Sequence, residues 1–308
     1  MSFEHPFFLP LRDGCRLPCR HLAAAGNPRA IVHICHGLAE HSARYQGFAK
    51  TLSEAGYHIY AHDHRGHGLN IGRHAPRGQI AHKDGQRIAI DDIVELNRHV
   101  RLSHPDLPVI LFGHSMGGLI ALNYALDHAD TIAALAVWNA SFGRMAEHML
   151  AMSLLYAERM LKGSDVPSRI LPKLTFRAWG EAIAGHRTPF DWLSHDQKVV
   201  DAYMADPLCG FDASVSLWMD IVRWMKRGSN DRNFMKMPRN LPISLVGGSE
   251  DPATEGGRAV SRLHARLRRM GFSRVQCQIL PGARHECLNE RNHADITQNF
   301  LRWLHENL

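Results

Sequence analysis

Short apolar runs, several of them rich in β-branched residues, recur along the chain and predict the strands of a buried sheet. Six such runs stand out, at 30–35, 57–62, 108–112, 133–138, 241–246 and 275–280. Stretches with helical spacing lie between them, for example Tyr45 to Ala55 and Asp84 to Ser103. Strands that alternate with helices are typical of a mostly parallel sheet flanked by helices on both faces, so we predict an α/β fold.

This alternation stops between about Gly143 and Met237, in a stretch with no run that resembles a strand. Nine of the twelve methionines and four of the six tryptophans fall there, which marks the stretch as distinct from the rest. Regular order resumes at Leu241. We therefore predict a core of residues 1–142 and 238–308, with a mostly helical cap, residues 143–237, inserted over the sheet.

Six apolar side chains in the predicted cap are spaced to share one helix face. They are Met145, Met149, Met152, Leu155, Met160 and Leu161. Methionine is flexible and polarisable, so such a face suits a pocket for varied apolar shapes. It suits the small core of the cap equally well, and the sequence does not divide the residues between the two roles.

The composition is that of a globular protein: 308 residues, 45% apolar and 21% charged, with no apolar run of the length of a membrane span. Met1 to Pro6 lacks the basic and apolar stretches of a secretory signal. The six cysteines are dispersed, and Cys15 and Cys19 have no second pair with which to form a zinc site. We expect a cytoplasmic protein with no metal and no cofactor.

The net charge of +6 fits a soluble surface and also permits peripheral contact with an anionic membrane through the cap. The one dense basic group, in Arg258 to Arg269, has the spacing of the solvated face of a helix. No nucleic-acid-binding motif is present, so the expected partner is a small lipid or ester substrate. The sequence does not indicate an oligomeric state.

The motif Gly113-His114-Ser115-Met116-Gly117 carries the first candidate chemistry. A lone Gly-x-Ser-x-Gly arises by chance, but this one directly follows a predicted strand and directly precedes a small-residue helix start. That setting is a nucleophile elbow, in which glycines at positions 113 and 117 leave room for a sharp turn. We therefore predict that Ser115 is the catalytic nucleophile.

A serine hydroxyl needs a neighbouring base, and in this kind of fold the chain order is serine, acid, histidine. His285 lies in a loop just after the strand that ends at Leu280. His264, His293 and His305 fall in helical patterns that are typical of solvated positions. We predict that His285 is the base.

The acid is expected between the two, at the end of a strand. Asp251 follows the predicted strand at 241–246 and precedes Pro252, so we predict that it orients His285. Glu250 is the nearest alternative, but as the neighbour of Asp251 in the chain it is expected to point in a different direction. Asp220 and Asp231 fall inside the predicted cap. Asp63 comes before Ser115 in the chain, and a structural role suits it better.

An oxyanion needs a second amide donor from the loop after an earlier strand. His36 to His41 forms that loop, and Gly37 permits its main-chain path. We predict that the backbone N–H groups of Leu38 and Met116 form the oxyanion hole.

Three blocks of the sequence resemble the monoacylglycerol lipase and lysophospholipase family of α/β-hydrolases, which is of the serine aminopeptidase S33 type. The most specific is His36-Gly37-Leu38-Ala39-Glu40-His41-Ser42-Ala43-Arg44-Tyr45; the others are Asp63-His64-Arg65-Gly66-His67-Gly68 and the motif at Ser115. Asp206-Pro207-Leu208 and the regions of Asp251 and His285 also fit. The resemblance extends from about Arg12 onward.

The resemblance implies a single α/β-hydrolase domain with a helical cap that cleaves carboxylic esters of glycerol-type lipids without a cofactor. It also implies that Leu38 and Met116 form the oxyanion hole, and that Glu40, His41 and residues 63–68 support the loop. Aminopeptidases, amidases and thioesterases share this fold and triad, and an aminopeptidase would need an acidic group in the cap. Glu147, Glu158 and Glu181 are the candidates for that group. A non-catalytic binding protein is the third alternative, against which the intact triad argues.

Overall fold

The computed structural model describes residues 3–308. Met1 and Ser2 lie outside the described residues. The predictions that include them, a core that starts at residue 1 and the lack of a signal sequence in Met1 to Pro6, are therefore not described at these two positions. The described chain forms one eight-stranded sheet in the order β1-β2-β4-β3-β5-β6-β7-β8. The strands are β1 Phe7–Pro10, β2 Arg16–Leu22, β3 Ala30–Cys35, β4 Tyr57–His62, β5 Val109–His114, β6 Ala134–Trp138, β7 Ile243–Gly248 and β8 Val275–Leu280.

From β4 to β8 in this order the strands pair in parallel, and the pairing is antiparallel between β1 and β2 and between β2 and β4, so that β2 alone runs in the opposite direction. The predicted mostly parallel sheet is confirmed. Since parallel strands all end at the same edge, the loops after β3, β5, β7 and β8 meet there. These are the loops that carry the predicted site residues.

Helices cover both faces of the sheet because successive strand residues point to opposite sides. The helices outside residues 143–237 are α1 Gln46–Glu54, α2 Gly85–Ser103, α3 Met116–His128, α8 Arg258–Arg269 and α9 His293–Asn307. On one face Leu111 of β5 packs in a core with α2, α3 and α8. On the other face Phe112 packs with Phe48 of α1 and Phe300 of α9.

Residues 143–237 form helices and irregular turns between β6 and β7. The helices are α4 Met145–Lys162, α5 Ala178–Glu181, α6 Gln197–Ala205 and α7 Val215–Gly228, and a π-helical turn covers Lys173–Arg177. Within this stretch the pairing of extended backbone is limited to an isolated bridge between Pro167 and Ser214. α7 is strongly amphipathic, and Leu217 and Trp224 on its apolar side join the core of the sheet.

Only part of the apolar face predicted on α4 is packed against the protein. Leu155 is buried, but Met149, Met160 and Leu161 are 65%, 86% and 83% exposed. The expectation for these three residues is wrong, because α4 packs on the side that carries Met152 and Leu155, and the three exposed residues turn away from the protein. No helix in the described part of the chain is both long and apolar enough to cross a membrane.

Candidate active site

Ser115 lies at the sharp turn between β5 and α3. Its backbone has φ 54° and ψ −118°, a strained conformation for a residue with a side chain. A Cβ at Gly113 would press on the Gly117 carbonyl, and a Cβ at Gly117 would press on the carbonyl of Cys35 in β3. Both glycines are therefore needed for the turn to pack against the sheet, as the elbow prediction requires.

The structure brings Ser115, His285 and Asp251 into one hydrogen-bonded row. Nε2 of His285 is 2.9 Å from the Ser115 hydroxyl oxygen, and Nδ1 is 3.0 Å from each carboxylate oxygen of Asp251. When Nδ1 carries the proton and donates it to Asp251, Nε2 faces the serine with a free lone pair. In that tautomer His285 can accept the proton of the Ser115 hydroxyl.

Asp251 is fully buried at the end of β7 and is held from several sides. Its carboxylate accepts hydrogen bonds from Asn139 Nδ2, the Thr254 hydroxyl and the Ala253 amide at 3.1, 2.8 and 2.9 Å. Burial acts to raise the pKa of Asp251, but His285 and these hydrogen bonds outweigh burial and lower it. Asp251 is therefore ionised, with its orientation fixed.

The competing acids and histidines lie elsewhere. Glu250 is at the surface, 3.1 Å from His195, and Asp220 and Asp231 are paired with Arg223 and Arg266. His264, His293 and His305 are in α8 and α9. Asp63 is buried and accepts hydrogen bonds from the Ser42 amide and hydroxyl at 2.9 and 2.6 Å, which ties it to the loop after β3.

Leu38 and Met116 both lie at the serine. Leu38 lines the space beside Ser115 and His285, and Met116 is the first residue of α3. The first amides of a helix have no partner within the helix, so the Met116 N–H can face a ligand. The positions of both residues suit donors to an oxyanion.

Glu40 fixes the backbone of the loop after β3. One carboxylate oxygen accepts the Gly37 N–H at 2.5 Å and the Tyr45 hydroxyl at 2.9 Å, and the other accepts from Arg44 at 2.7 Å. Burial acts to raise the pKa of Glu40, but its contacts with His114 and Arg44 lower it strongly. Glu40 is therefore a buried carboxylate that orders the loop carrying Leu38.

The same network reaches the loop that carries His285. Arg44 makes a two-pronged ion pair with Glu286 at 2.6 and 2.7 Å. His114, next to Ser115, contacts the backbone oxygen of His285 at 3.0 Å and lies 3.5 Å from Glu40. The carboxylate outweighs burial and raises the pKa of His114. Sequence reasoning missed His114, Glu286 and Asn139, although all three are polar residues at the carboxyl ends of strands or directly beside His285.

Several residues of the insertion, the name used here for residues 143–237, contact these loops. The Tyr203 hydroxyl donates to the Ala39 carbonyl at 2.9 Å, and His41 is 2.8 Å from Asp206. The Trp192 ring lies 4.8 Å from the His285 ring, and Phe176 stacks on Trp192. The free volume beside Ser115 is about 20 Å³, room for little more than one water molecule.

Phe176 also lines a second cavity, of about 500 Å³, which is bounded by residues 172–212 of the insertion. That cavity is bordered by Pro172, Lys173, Pro189 and Phe190. Phe176 belongs to the π-helical turn, a distortion that is often found at functional sites. It is thus the side chain between the serine and the larger space.

Comparison with known proteins places these observations in a family. Residues 26–292 match the family model described as serine aminopeptidase, S33. A monoglyceride lipase of Mus musculus is 27% identical over 241 residues, 78% of this chain and 71% of the mouse protein. A monoacylglycerol lipase of Mycolicibacterium smegmatis is 26% identical over 287 residues, 90% of this chain and 89% of that protein.

Among solved structures, a thermostable carboxyl esterase from Bacillus coagulans in complex with glycerol superimposes with a TM-score of 0.89. It is 26% identical, and the match covers 100% of this chain and 99% of the esterase. These findings confirm the α/β-hydrolase fold and the resemblance drawn from the sequence.

Proposed function

The chain belongs to the family described as serine aminopeptidase, S33, and we propose that it is a carboxylic ester hydrolase that acts on monoacylglycerol- or lysophospholipid-type lipids. The observation that carries this proposal is the row Asp251–His285–Ser115, with hydrogen-bonding distances of 3.0 and 2.9 Å. The monoglyceride lipases among its relatives support the ester and the glycerol-type substrate.

In the proposed mechanism, Ser115 Oγ attacks the ester carbonyl carbon while Nε2 of His285 takes the hydroxyl proton. The amides of Leu38 and Met116 stabilise the negative charge that develops on the carbonyl oxygen. His285 then gives its proton to the departing alcohol oxygen, which leaves an acyl-enzyme on Ser115. A water molecule, deprotonated by His285, attacks the acyl carbon, and the returned proton releases the fatty acid and the free serine.

The aminopeptidase alternative needs a carboxylate that can hold a free amine near the serine. Glu147 accepts the Arg144 amide at the start of α4, Glu158 accepts from Ser168 and Arg169, and Glu181 pairs with Arg177. Each of the three glutamates already has a local partner and is not among the residues that line the space at Ser115. Ester cleavage fits the site better.

We propose in addition that the protein works in the cytoplasm and touches membrane surfaces through α4. The exposed apolar side chains of that helix support the membrane contact, since lipid would cover them. The positive net charge would favour anionic lipid.

Replacement of the nucleophile tests the proposal. Ser115→Ala should lower the turnover of p-nitrophenyl esters by about 10⁴–10⁶-fold and abolish labelling by a fluorophosphonate probe, with an unchanged circular dichroism spectrum. Ester cleavage by the Ser115→Ala protein at more than one tenth of the original rate would show that Ser115 is not the nucleophile. Prolyl anilides serve as the comparison substrate, and faster cleavage of these than of esters would favour the peptidase.

A further inference from the structure

Three half-buried histidines meet at the outer strands of the sheet and take no part in the chemistry above. His21 is in β2, His58 is in β4, and His104 directly follows α2. One ligand atom from each lies within 4.8 Å of the other two. Histidine is the commonest metal ligand in proteins, so this grouping invites a test against metal geometry.

The distances agree with those around a tetrahedral ion. Nε2 of His21 is 3.3 Å from Nδ1 of His58. Two nitrogens that each bind a tetrahedral zinc at its usual distance lie about 3.3 Å apart. The three ring centroids are separated by 5.4, 4.3 and 6.2 Å, and three imidazoles around one such ion have centroids roughly 5 Å apart. Small side-chain rotations would place one nitrogen of each ring at bonding distance from a single ion.

Hydrogen bonds at two of the rings bear on metal binding. His58 Nδ1 accepts a long hydrogen bond from the Ala24 amide at 3.3 Å, and an ion bound at that nitrogen would replace it. The Tyr60 hydroxyl is 2.9 Å from Nε2 of His104. If Nε2–H donates to the tyrosine oxygen, Nδ1 of His104 keeps a lone pair, the arrangement that typically supports metal-binding histidines.

The environment of the cluster favours the neutral imidazoles that metals need. Burial, with the neighbouring His58 and His104, lowers the pKa of His21 to about 4. The pKa values of His58 and His104 are lowered too, in each case mainly by burial. All three side chains keep some exposure to solvent, which gives an ion a route in.

Two other groups in the described chain have comparable spacing. His33, Cys35 and His62 are fully buried, which leaves an ion no open route from the solvent. His41 pairs with Asp206 at 2.8 Å, beside Cys209, and so links the loop after β3 to the insertion. The cluster at His21 is thus the one made only of histidines and open to solvent.

We propose that His21, His58 and His104 bind a divalent transition metal of the Zn²⁺ class, with water in the fourth position. Imidazole donors suit Zn²⁺, Cu²⁺ and Ni²⁺ rather than Mg²⁺ or Ca²⁺. The ion would link the antiparallel strand β2 to β4 and to the end of α2. It would act on stability rather than on the serine chemistry.

The test uses untagged full-length protein that has been treated with a chelator and dialysed. Titration calorimetry with Zn²⁺ should give about one ion per chain, and Co²⁺ should give the visible absorption of a tetrahedral site. At a zinc concentration 100 times Kd the midpoint of thermal unfolding should rise by roughly 4 °C.

The double variant His21→Gln, His58→Gln should lose the calorimetric signal, the cobalt spectrum and the thermal shift, while it keeps its esterase activity. His305→Gln, at an exposed histidine of α9, is the matched control and should keep all of them. The absence of stoichiometric binding to the original protein would overturn the proposal. One equivalent of metal retained by the double variant would also overturn it, because the ion would then belong to another group.

Discussion

The edge of the sheet at Ser115 and the helical insertion above it are built differently. At the sheet edge the carboxylates of Glu40 and Asp251 are buried, and each is held by several hydrogen bonds. In the insertion, α4 turns large apolar side chains such as Met149 and Met160 to the solvent. Chemistry requires fixed distances, whereas the proposed contact with lipid requires apolar area, and under that proposal the two regions meet separate demands.

The two regions are nevertheless joined at the loops that carry the chemistry. The insertion binds the loop after β3 through Tyr203 and Asp206, and the Trp192 carbonyl accepts the His285 amide at 3.3 Å. A displacement of the insertion can therefore move the catalytic loops through these contacts. The following changes test how far the two regions act separately.

The largest effect is expected at the most firmly held residue. Asp251→Asn should lower kcat by about 10⁴-fold, because an amide in this position favours the wrong tautomer of His285. Stopped-flow or plate assays with a p-nitrophenyl ester measure this directly. Glu250→Gln, at the adjacent exposed carboxylate, should stay within twofold of the original. Near-normal turnover by Asp251→Asn would show that Asp251 does not orient the base.

A smaller loss is expected from Glu40→Gln, which weakens the hold on the loop that carries Leu38. We expect kcat to fall by about 10²-fold, the effect of losing one oxyanion donor, with KM nearly unchanged. Glu54→Gln, at an exposed carboxylate of α1, is the control. If KM rose and kcat stayed constant, the loop would serve substrate binding and not the transition state.

The same residue gives a pH dependence of known sign. The pKa of Glu40 is lower in the folded protein than in the unfolded chain. Its contribution to stability is therefore complete above about pH 4.5 and declines as the pH falls further. Urea unfolding between pH 7 and pH 4 should show a smaller loss of stability for Glu40→Gln than for the original protein. An equal loss in both would contradict this.

Within the insertion, Phe176→Ala should change selectivity rather than the chemistry. Phe176 lines both the small space at Ser115 and the larger cavity, so removal of the ring should join the two and raise the ratio of kcat/KM for a dodecanoyl over a butanoyl ester about tenfold. Leu174→Ala, an exposed residue of the same turn, should leave the ratio unchanged. A uniform fall in activity at all chain lengths would mean that Phe176 supports His285.

The smallest effect is expected on α4. The double variant Met149→Gln, Met160→Gln should bind vesicles of anionic phospholipid about fivefold more weakly, because less apolar surface enters the lipid. Its hydrolysis of a water-soluble ester should not change. Met235→Gln, an exposed methionine outside α4, is the control in the same flotation assay. Equal losses in both variants would locate the contact elsewhere.

Local patterns predicted most of the core. The predicted runs at 30–35 and 57–62 coincide with β3 and β4, and the turn at Ser115 was evident from the strand before it and the helix after it. Asn139 and Glu286 were missed because they belong to no recognised motif, and their partners Asp251 and Arg44, 112 and 242 positions away, become neighbours only in the folded chain. On α4, helical spacing grouped Met149 and Met160 with Leu155, but only Leu155 is buried, because spacing alone does not show which side of a helix meets the protein.

The space of about 20 Å³ beside Ser115 also has a kinetic consequence. If an acyl chain can enter only after the insertion moves aside, substrate binds only to the fraction of molecules in which that movement has taken place. The apparent dissociation constant is then the intrinsic one divided by that open fraction. If about one molecule in a hundred is open, every substrate binds about a hundredfold more weakly than to a permanently open form. A membrane surface that raised the open fraction would lower the apparent dissociation constants of all substrates by the same factor.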